Sequence, residues 1–128
     1  MGVIRSGEFG FIDFIKEHFA SPCGIAVPEG VRSIGDDCAV IPVAGSDDEL
    51  LVSTDLLMEG VHFLRGESSP EDVGWKAAAV NLSDIAAMGG APVATFLSIA
   101  LPKDAQGEWA ERFIEGYASI SRAYNVPL

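Results

Sequence analysis

The chain has 128 residues, 48% of them hydrophobic and 21% charged, which supplies one buried core and rules out a disordered, collagen-like or coiled-coil chain. Nineteen Asp and Glu against eight Lys and Arg give a formal charge of −11, with the basic residues scattered, so nucleic-acid binding by phosphate neutralisation is not expected. A field of this sign repels a bare polyphosphate, so any phosphate the surface meets needs divalent cations in between.

No basic region followed by an apolar run opens the chain, so no secretory signal is expected. The two cysteines, Cys23 and Cys38, fit a reducing cytoplasm. From Glu8 to Phe19, Phe11, Ile12, Phe14, Ile15 and Phe19 recur at helical intervals and predict a first helix. Ser21 to Ile34 carries two prolines and two glycines without periodicity and reads as a long loop. Cys38 to Val43 and Leu50 to Leu56 are short apolar runs around the polar segment Ala44-Gly45-Ser46-Asp47-Asp48-Glu49, a charged solvated turn, and predict an antiparallel hairpin. Pairing Val43 with Leu50 sets Cys38 opposite Asp55.

Ser69-Pro70-Glu71-Asp72 supplies an N-cap, a proline at the first helical position and two acids in the first turn. The helix it starts should run to about Met88 and stop at Gly89-Gly90. Val93 to Leu101 reads as a buried strand; residues 91–101 are the longest apolar stretch, about half a membrane span, so no membrane protein is expected. A final helix, Gln106 to about Tyr124, puts Trp109, Phe113, Ile114, Tyr117 and Ile120 on one side and Glu108, Glu111, Glu115 and Arg122 largely on the other. Trp75, Trp109 and the phenylalanines read as core. The order α, β, β, α, β, α is that of a single α+β domain over residues 1–128, a small mixed or antiparallel sheet with helices on one face.

Three acidic groups stand out: Gly35-Asp36-Asp37, Ser53-Thr54-Asp55 and Asn81-Leu82-Ser83-Asp84. In the expected register Asp36, Asp37, Thr54 and Asp55 gather at the open end of the hairpin, where like charges need a cation or a proton between them. Asp84 belongs to a helix that reads as apolar nearly all round, where an unpaired carboxylate costs several kcal/mol, and Lys76 lies two turns away. A metal would explain it. Carboxylates and hydroxyls without a His or Cys cluster are a hard-oxygen ligand set, suited to Mg2+, which completes its shell with phosphate oxygens.

Blander readings stand beside these. Gly-Asp-Asp is commonly a turn, Ser53-Thr54-Asp55 equally a capped strand end, Asp84 open to an Arg from elsewhere, and His62 a packed or surface histidine. Neither a P-loop, a dinucleotide glycine motif nor an EF-hand spacing is present.

Gly7-Glu8-Phe9, Gly35-Asp36-Asp37-Cys38-Ala39-Val40, Ser53-Thr54-Asp55-Leu56-Leu57, Gly60-Val61-His62-Phe63 and Trp75-Lys76-Ala77 through Asn81-Leu82-Ser83-Asp84-Ile85-Ala86-Ala87-Met88-Gly89 together resemble the thiamine-monophosphate kinase family, in order and over nearly the whole chain. The resemblance implies a fold shared with aminoimidazole ribonucleotide synthetase, selenophosphate synthetase and the hydrogenase-maturation dehydratase. In that superfamily an N-terminal α+β domain joins its sheet to its twin's in a dimeric barrel, and a C-terminal domain completes the active site. It implies that Asp37 is a ligand shared between Mg2+ ions, with Asp36 a weaker candidate. Ser53, Thr54 and Asp55 are implied as ligands on the strand end, Asp84 as a carboxylate bridging several ions, and His62 as a contact to thiamine monophosphate.

The activity implied is transfer of the γ-phosphoryl of ATP to thiamine monophosphate without a general base. The family's next motif, Gly-Gly-Asp-Thr, is expected just beyond Leu128, so the chain reads as an N-terminal domain, expected to fold and dimerise but not to turn over. Two other readings stay open. One is another ATP-dependent member of the superfamily, acting on an amide, selenide or carbamoyl substrate. The other is a non-catalytic dimerisation module whose acids serve solubility.

Overall fold

The computed structural model describes residues 7–20 and 24–128; the first three positions of the loop expected over Ser21–Ile34, Cys23 among them, lie outside the described residues. Three α-helices and a two-stranded antiparallel sheet make an α+β chain that forms two compact units, residues 1–52 and 53–128.

In the first unit, helix α1, Glu8–Ala20, has Glu8 in its first turn and His18 in its last, as the helix dipole favours. Its rings stack along the helix, Phe11 on Phe14 at 6.4 Å and Phe14 on His18 at 5.6 Å between centroids. Phe9, Phe11 and Phe19 are exposed, so these phenylalanines do not form the expected core.

Strands β1, Ala39–Pro42, and β2, Glu49–Val52, form the expected hairpin with a different register. Ala39 faces Val52 and Ile41 faces Leu50, so the ladder is displaced by two residues from the expected pairing of Val43 with Leu50. The cause lies in the turn. Ser46 N–H donates to the Val43 carbonyl, the Ser46 hydroxyl to Asp48 Oδ2, and Val43 N–H to the Asp48 carbonyl, which closes the loop two residues earlier. Both strands are also shorter than predicted, and Arg32 adds an isolated antiparallel bridge to Val40. Cys38 and Val40 are the buried side chains here.

The second unit is built on helix α2, Pro70–Ala87, and helix α3, Glu108–Tyr124. α2 starts where its signals place it: Ser69 Oγ accepts the Asp72 N–H at 3.1 Å and donates to Asp72 Oδ2 at 2.7 Å. It ends at Ala87 with Met88 as its C-cap, before Gly89. Val73, Ala78, Phe113, Tyr117 and Ile120 form the core, flanked by Phe63, Leu82, Leu97 and Trp109.

The helices approach so closely that a Cβ on Gly74 would lie 1.9 Å from the Phe113 carbonyl oxygen, and one on Gly116 1.9 Å from that of Glu71. Glycine is required at both positions by space alone. Across this contact Arg112 grips Glu71 with two hydrogen bonds, 2.7 and 3.0 Å. The charged residues predicted for the outer side of α3 are exposed, and a 3-10 turn, Lys103–Ala105, precedes the helix.

Two expectations fail in this unit. Val93–Leu101 forms no strand: its backbone joins no ladder among the described residues, Thr95 N–H donates to the Pro127 carbonyl, and Phe96 is 97% exposed. An apolar run fixes a wish for burial but not a partner, and a strand needs a partner for its backbone groups. Nor is α2 apolar-packed all round. Its buried residues, Pro70, Val73, Gly74 and Ala78, leave Trp75 50% exposed, because α3 covers a single side. No helix among the described residues is long and apolar enough to cross a membrane.

Candidate functional site

In the second unit the segment after β2 lies along one face of α2. Asn81 and Asp84 are three residues apart, about 60° around a helix, and so share that face. The Ser53 hydroxyl donates a short hydrogen bond to Asp84 Oδ2. The Asp55 N–H donates to Asn81 Oδ1 at 3.0 Å, while Asn81 Nδ2 donates to the Ala77 carbonyl at 3.0 Å. Asn81 is thereby held at both ends, and through it the backbone of Asp55.

Asp84 is half-buried and partnered by a hydroxyl, which corrects the expectation of a carboxylate sunk unpaired in an apolar helix. Thr54 and Asp55 are exposed. Every side-chain group that Ser53, Thr54, Asp55 and Asp84 could offer a ligand is an oxygen, so the donor set fits a hard cation such as Mg2+ and not zinc. Within each unit no three His, Cys, Asp or Glu side chains converge among the described residues, so hydroxyls, water or substrate oxygens would have to complete a shell.

Asp36 and Asp37 belong to the first unit and are exposed. The Asp36 carboxylate accepts the Asp37 N–H at 3.0 Å, in a bent stretch of backbone. Gly35 has φ of 142°, and a Cβ there would stand 2.8 Å from the Lys16 ammonium nitrogen. The expected pair Cys38–Asp55 is not formed, since the ladder ends at Ala39 and Val52.

His62 sits on an exposed, tightly bonded loop of the second unit. Val61 and His62 N–H both donate to the Met58 carbonyl, and Gly60 N–H donates to the Phe63 carbonyl at 2.8 Å. Met58 N–H donates to His62 Nδ1 at 3.0 Å, and Lys76 Nζ donates to the His62 carbonyl at 2.7 Å. Arg65 joins Glu59 at 2.7 Å to Asp104 at 3.2 Å, and those two carboxylates hold its guanidinium still more firmly protonated than usual.

The structure thus brings Ser53, Asp55 and Asp84 to one place and sets His62 on a fixed loop. Sequence reasoning quoted Asn81 but did not single it out. Its signal was a poor helix former inside a helix, three residues before an acid. Lys76 and Arg65 carried no signal of their own, because what they bind are a carbonyl and the carboxylates of Glu59 and Asp104, none at a regular helical spacing.

Residues 35–128 match the family model described as AIR synthase related protein, N-terminal domain. The chain is 45% identical over 117 residues to the thiamine-monophosphate kinase of Aquifex aeolicus strain VF5, covering 91% of this chain and 33% of that one. It is 41% identical over 123 residues to that of Haemophilus influenzae, covering 95% and 35%, and 41% identical over 95 residues to that of Escherichia coli K12, covering 74% and 28%. The chain therefore spans about a third of the length of these curated relatives. Its fold is similar to the solved structure of AaThiL complexed with AMPPCP and TMP, with a TM-score of 0.81 and 40% identity over 99% of this chain and 37% of that one. A crystal structure of thiamine monophosphate kinase from Aquifex aeolicus gives a TM-score of 0.72 at 39% identity, over 92% of this chain and 35% of that one.

Proposed function

Because the chain belongs to the AIR synthase related protein family, whose N-terminal domain it carries over residues 35–128, we propose that it is the N-terminal part of a kinase making thiamine diphosphate and ADP from thiamine monophosphate and ATP. The relatives named above support the substrate, and the AMPPCP and TMP of the AaThiL complex support a nucleoside triphosphate and a phosphorylated acceptor in one protein. Within this chain the reading is carried by one observation: Ser53 and the Asp55 backbone are bonded to Asp84 and Asn81, two residues on one face of α2.

In the transfer, a phosphate oxygen of thiamine monophosphate bonds to the γ-phosphorus of ATP, and the bond between that phosphorus and the β–γ bridging oxygen breaks. A phosphate monoester has its second pKa near about 6 and is largely dianionic at neutral pH, so no side chain need remove a proton. What the protein must do is hold two anions in line. We assign Asp55, Asp84, Ser53 and Thr54 to holding Mg2+, together with Asp37 and, more weakly, Asp36 of the first unit. Mg2+, when bound, supplies the positive charge this acidic chain lacks. Asn81 keeps the Asp55 backbone in place, and His62 contacts thiamine monophosphate.

We further propose a cytoplasmic homodimer in which the sheet joins its twin's; the exposed, unladdered segment 91–101 supports a second copy as its cover. The test is a coupled assay for ADP release from the full-length kinase proposed here. Thiamine monophosphate-dependent turnover that falls at least a hundredfold in Asp84→Asn supports the proposal. Turnover without thiamine monophosphate, or an Asp84→Asn variant of full activity, ends it. Sedimentation of this chain tests the dimer.

A further inference from the structure

The loop around His62 is braced more heavily than a surface turn requires. Its backbone closes on itself through the Met58 and Phe63 carbonyls, and Phe63 packs against the α2–α3 core. Arg65 ties Glu59 to Asp104. The remaining two bonds act on His62 itself: Met58 N–H occupies its Nδ1, and the Lys76 ammonium occupies its carbonyl. A neutral imidazole that accepts at Nδ1 carries its proton on Nε2, so the exposed edge of the ring is a hydrogen-bond donor.

Lys76 makes no ion pair with a carboxylate among the described residues. Its hydrogen bond goes instead to a main-chain oxygen 14 residues away in sequence. A lysine in so acidic a chain has carboxylates to choose from, and a rigid helix is a firmer anchor than a loop.

We propose that Lys76 is a positioning residue for His62: from α2 it holds the loop so that the Met58 amide keeps the imidazole as an Nε2–H donor toward the phosphate of thiamine monophosphate. The last clause rests on the kinase reading; the Lys76–His62 relationship does not. A preset donor of this kind gains affinity because the ring and loop need not be ordered when the substrate arrives.

The experiment has two arms. In the first, amide hydrogen exchange at Met58 is followed by NMR in this chain. Lys76→Met should exchange at least tenfold faster than the unmodified chain, and Lys76→Arg, which keeps a donor, within about twofold of it, with exchange inside α3 unchanged as the control for folding. A Met58 amide equally protected in Lys76→Met overturns the proposal. In the second, the full-length kinase should show a tenfold higher KM for thiamine monophosphate in Lys76→Met, with kcat and the KM for ATP within twofold, and recovery in Lys76→Arg. A faster Met58 amide with an unmoved KM overturns the role in substrate binding. If the unmodified enzyme lacks kinase activity, the kinase reading fails and the exchange arm alone decides whether Lys76 holds His62.

Discussion

Ser53 and Asp84, 31 residues apart in sequence, are joined by a hydrogen bond from the hydroxyl to the carboxylate. The bond fastens the segment leaving β2 to α2, and the Asp55–Asn81 bond repeats the attachment one helical turn away. Two short polar stretches that stand apart in the sequence are thereby joined side by side.

The Mg2+ role proposed for Asp84 predicts that Asp84→Asn abolishes specific Mg2+ binding by the full-length protein, measured by calorimetric titration with MgCl2. Ser53→Ala should cost about 1 kcal/mol of stability to urea, the ordinary worth of a hydrogen bond. Combined with Asp84→Asn it should be less than additive, since both remove the same contact.

Gly74→Ala ordinarily stabilises a helix by about 1 kcal/mol. Here the added methyl meets the Phe113 carbonyl at 1.9 Å, so the helices must part and the sign should reverse. A loss of about 2 kcal/mol or more in urea unfolding is expected from overpacking. Gly116→Ala should behave alike, against the Glu71 carbonyl.

The Arg112 hydrogen bonds, with the Glu71 backbone bond second, hold the Glu71 carboxyl below its ordinary range. A depressed carboxylate contributes stability above its unfolded pKa and loses it as pH falls through the folded one. Arg112, raised chiefly by the same hydrogen bonds, stays charged throughout. Arg112→Met should lower the Tm by more at about pH 7 than in acid, the difference shrinking as pH falls through the folded pKa of Glu71. High salt should shrink the difference, since both side chains are partly exposed.

Arg65→Met should cut the link between Glu59 and Asp104 while leaving the α2–α3 core intact. Hydrogen exchange should quicken at Gly60, Val61 and His62, whose amides close the loop, and stay unchanged at Phe113 and Tyr117. Unchanged exchange in the loop would show that its backbone bonds suffice alone.

Much of the architecture was legible because its signals are local. Ser69-Pro70-Glu71-Asp72 and Gly89-Gly90 bracket α2 through capping, and the spacing of Phe113, Tyr117 and Ile120 marks the buried side of α3. The hairpin was legible but not its register, because the Ser46 and Asp48 side chains that tighten its turn compete with every nearby alternative. The strand expected over Val93–Leu101 and the core place expected for Trp75 fail for one reason: hydrophobicity states what a residue would bury, not what is there to bury it.

Of the site, residue types and spacing already named Ser53, Asp55 and Asp84 and the kind of ion their oxygens suit, since ligand hardness is a property of the atoms. Which groups answer them is a matter of the fold. Asn81 on Asp55, Ser53 on Asp84 and Lys76 on the His62 carbonyl all join separate elements of the second unit, and no one-dimensional pattern encodes the few ångströms across which such bonds form.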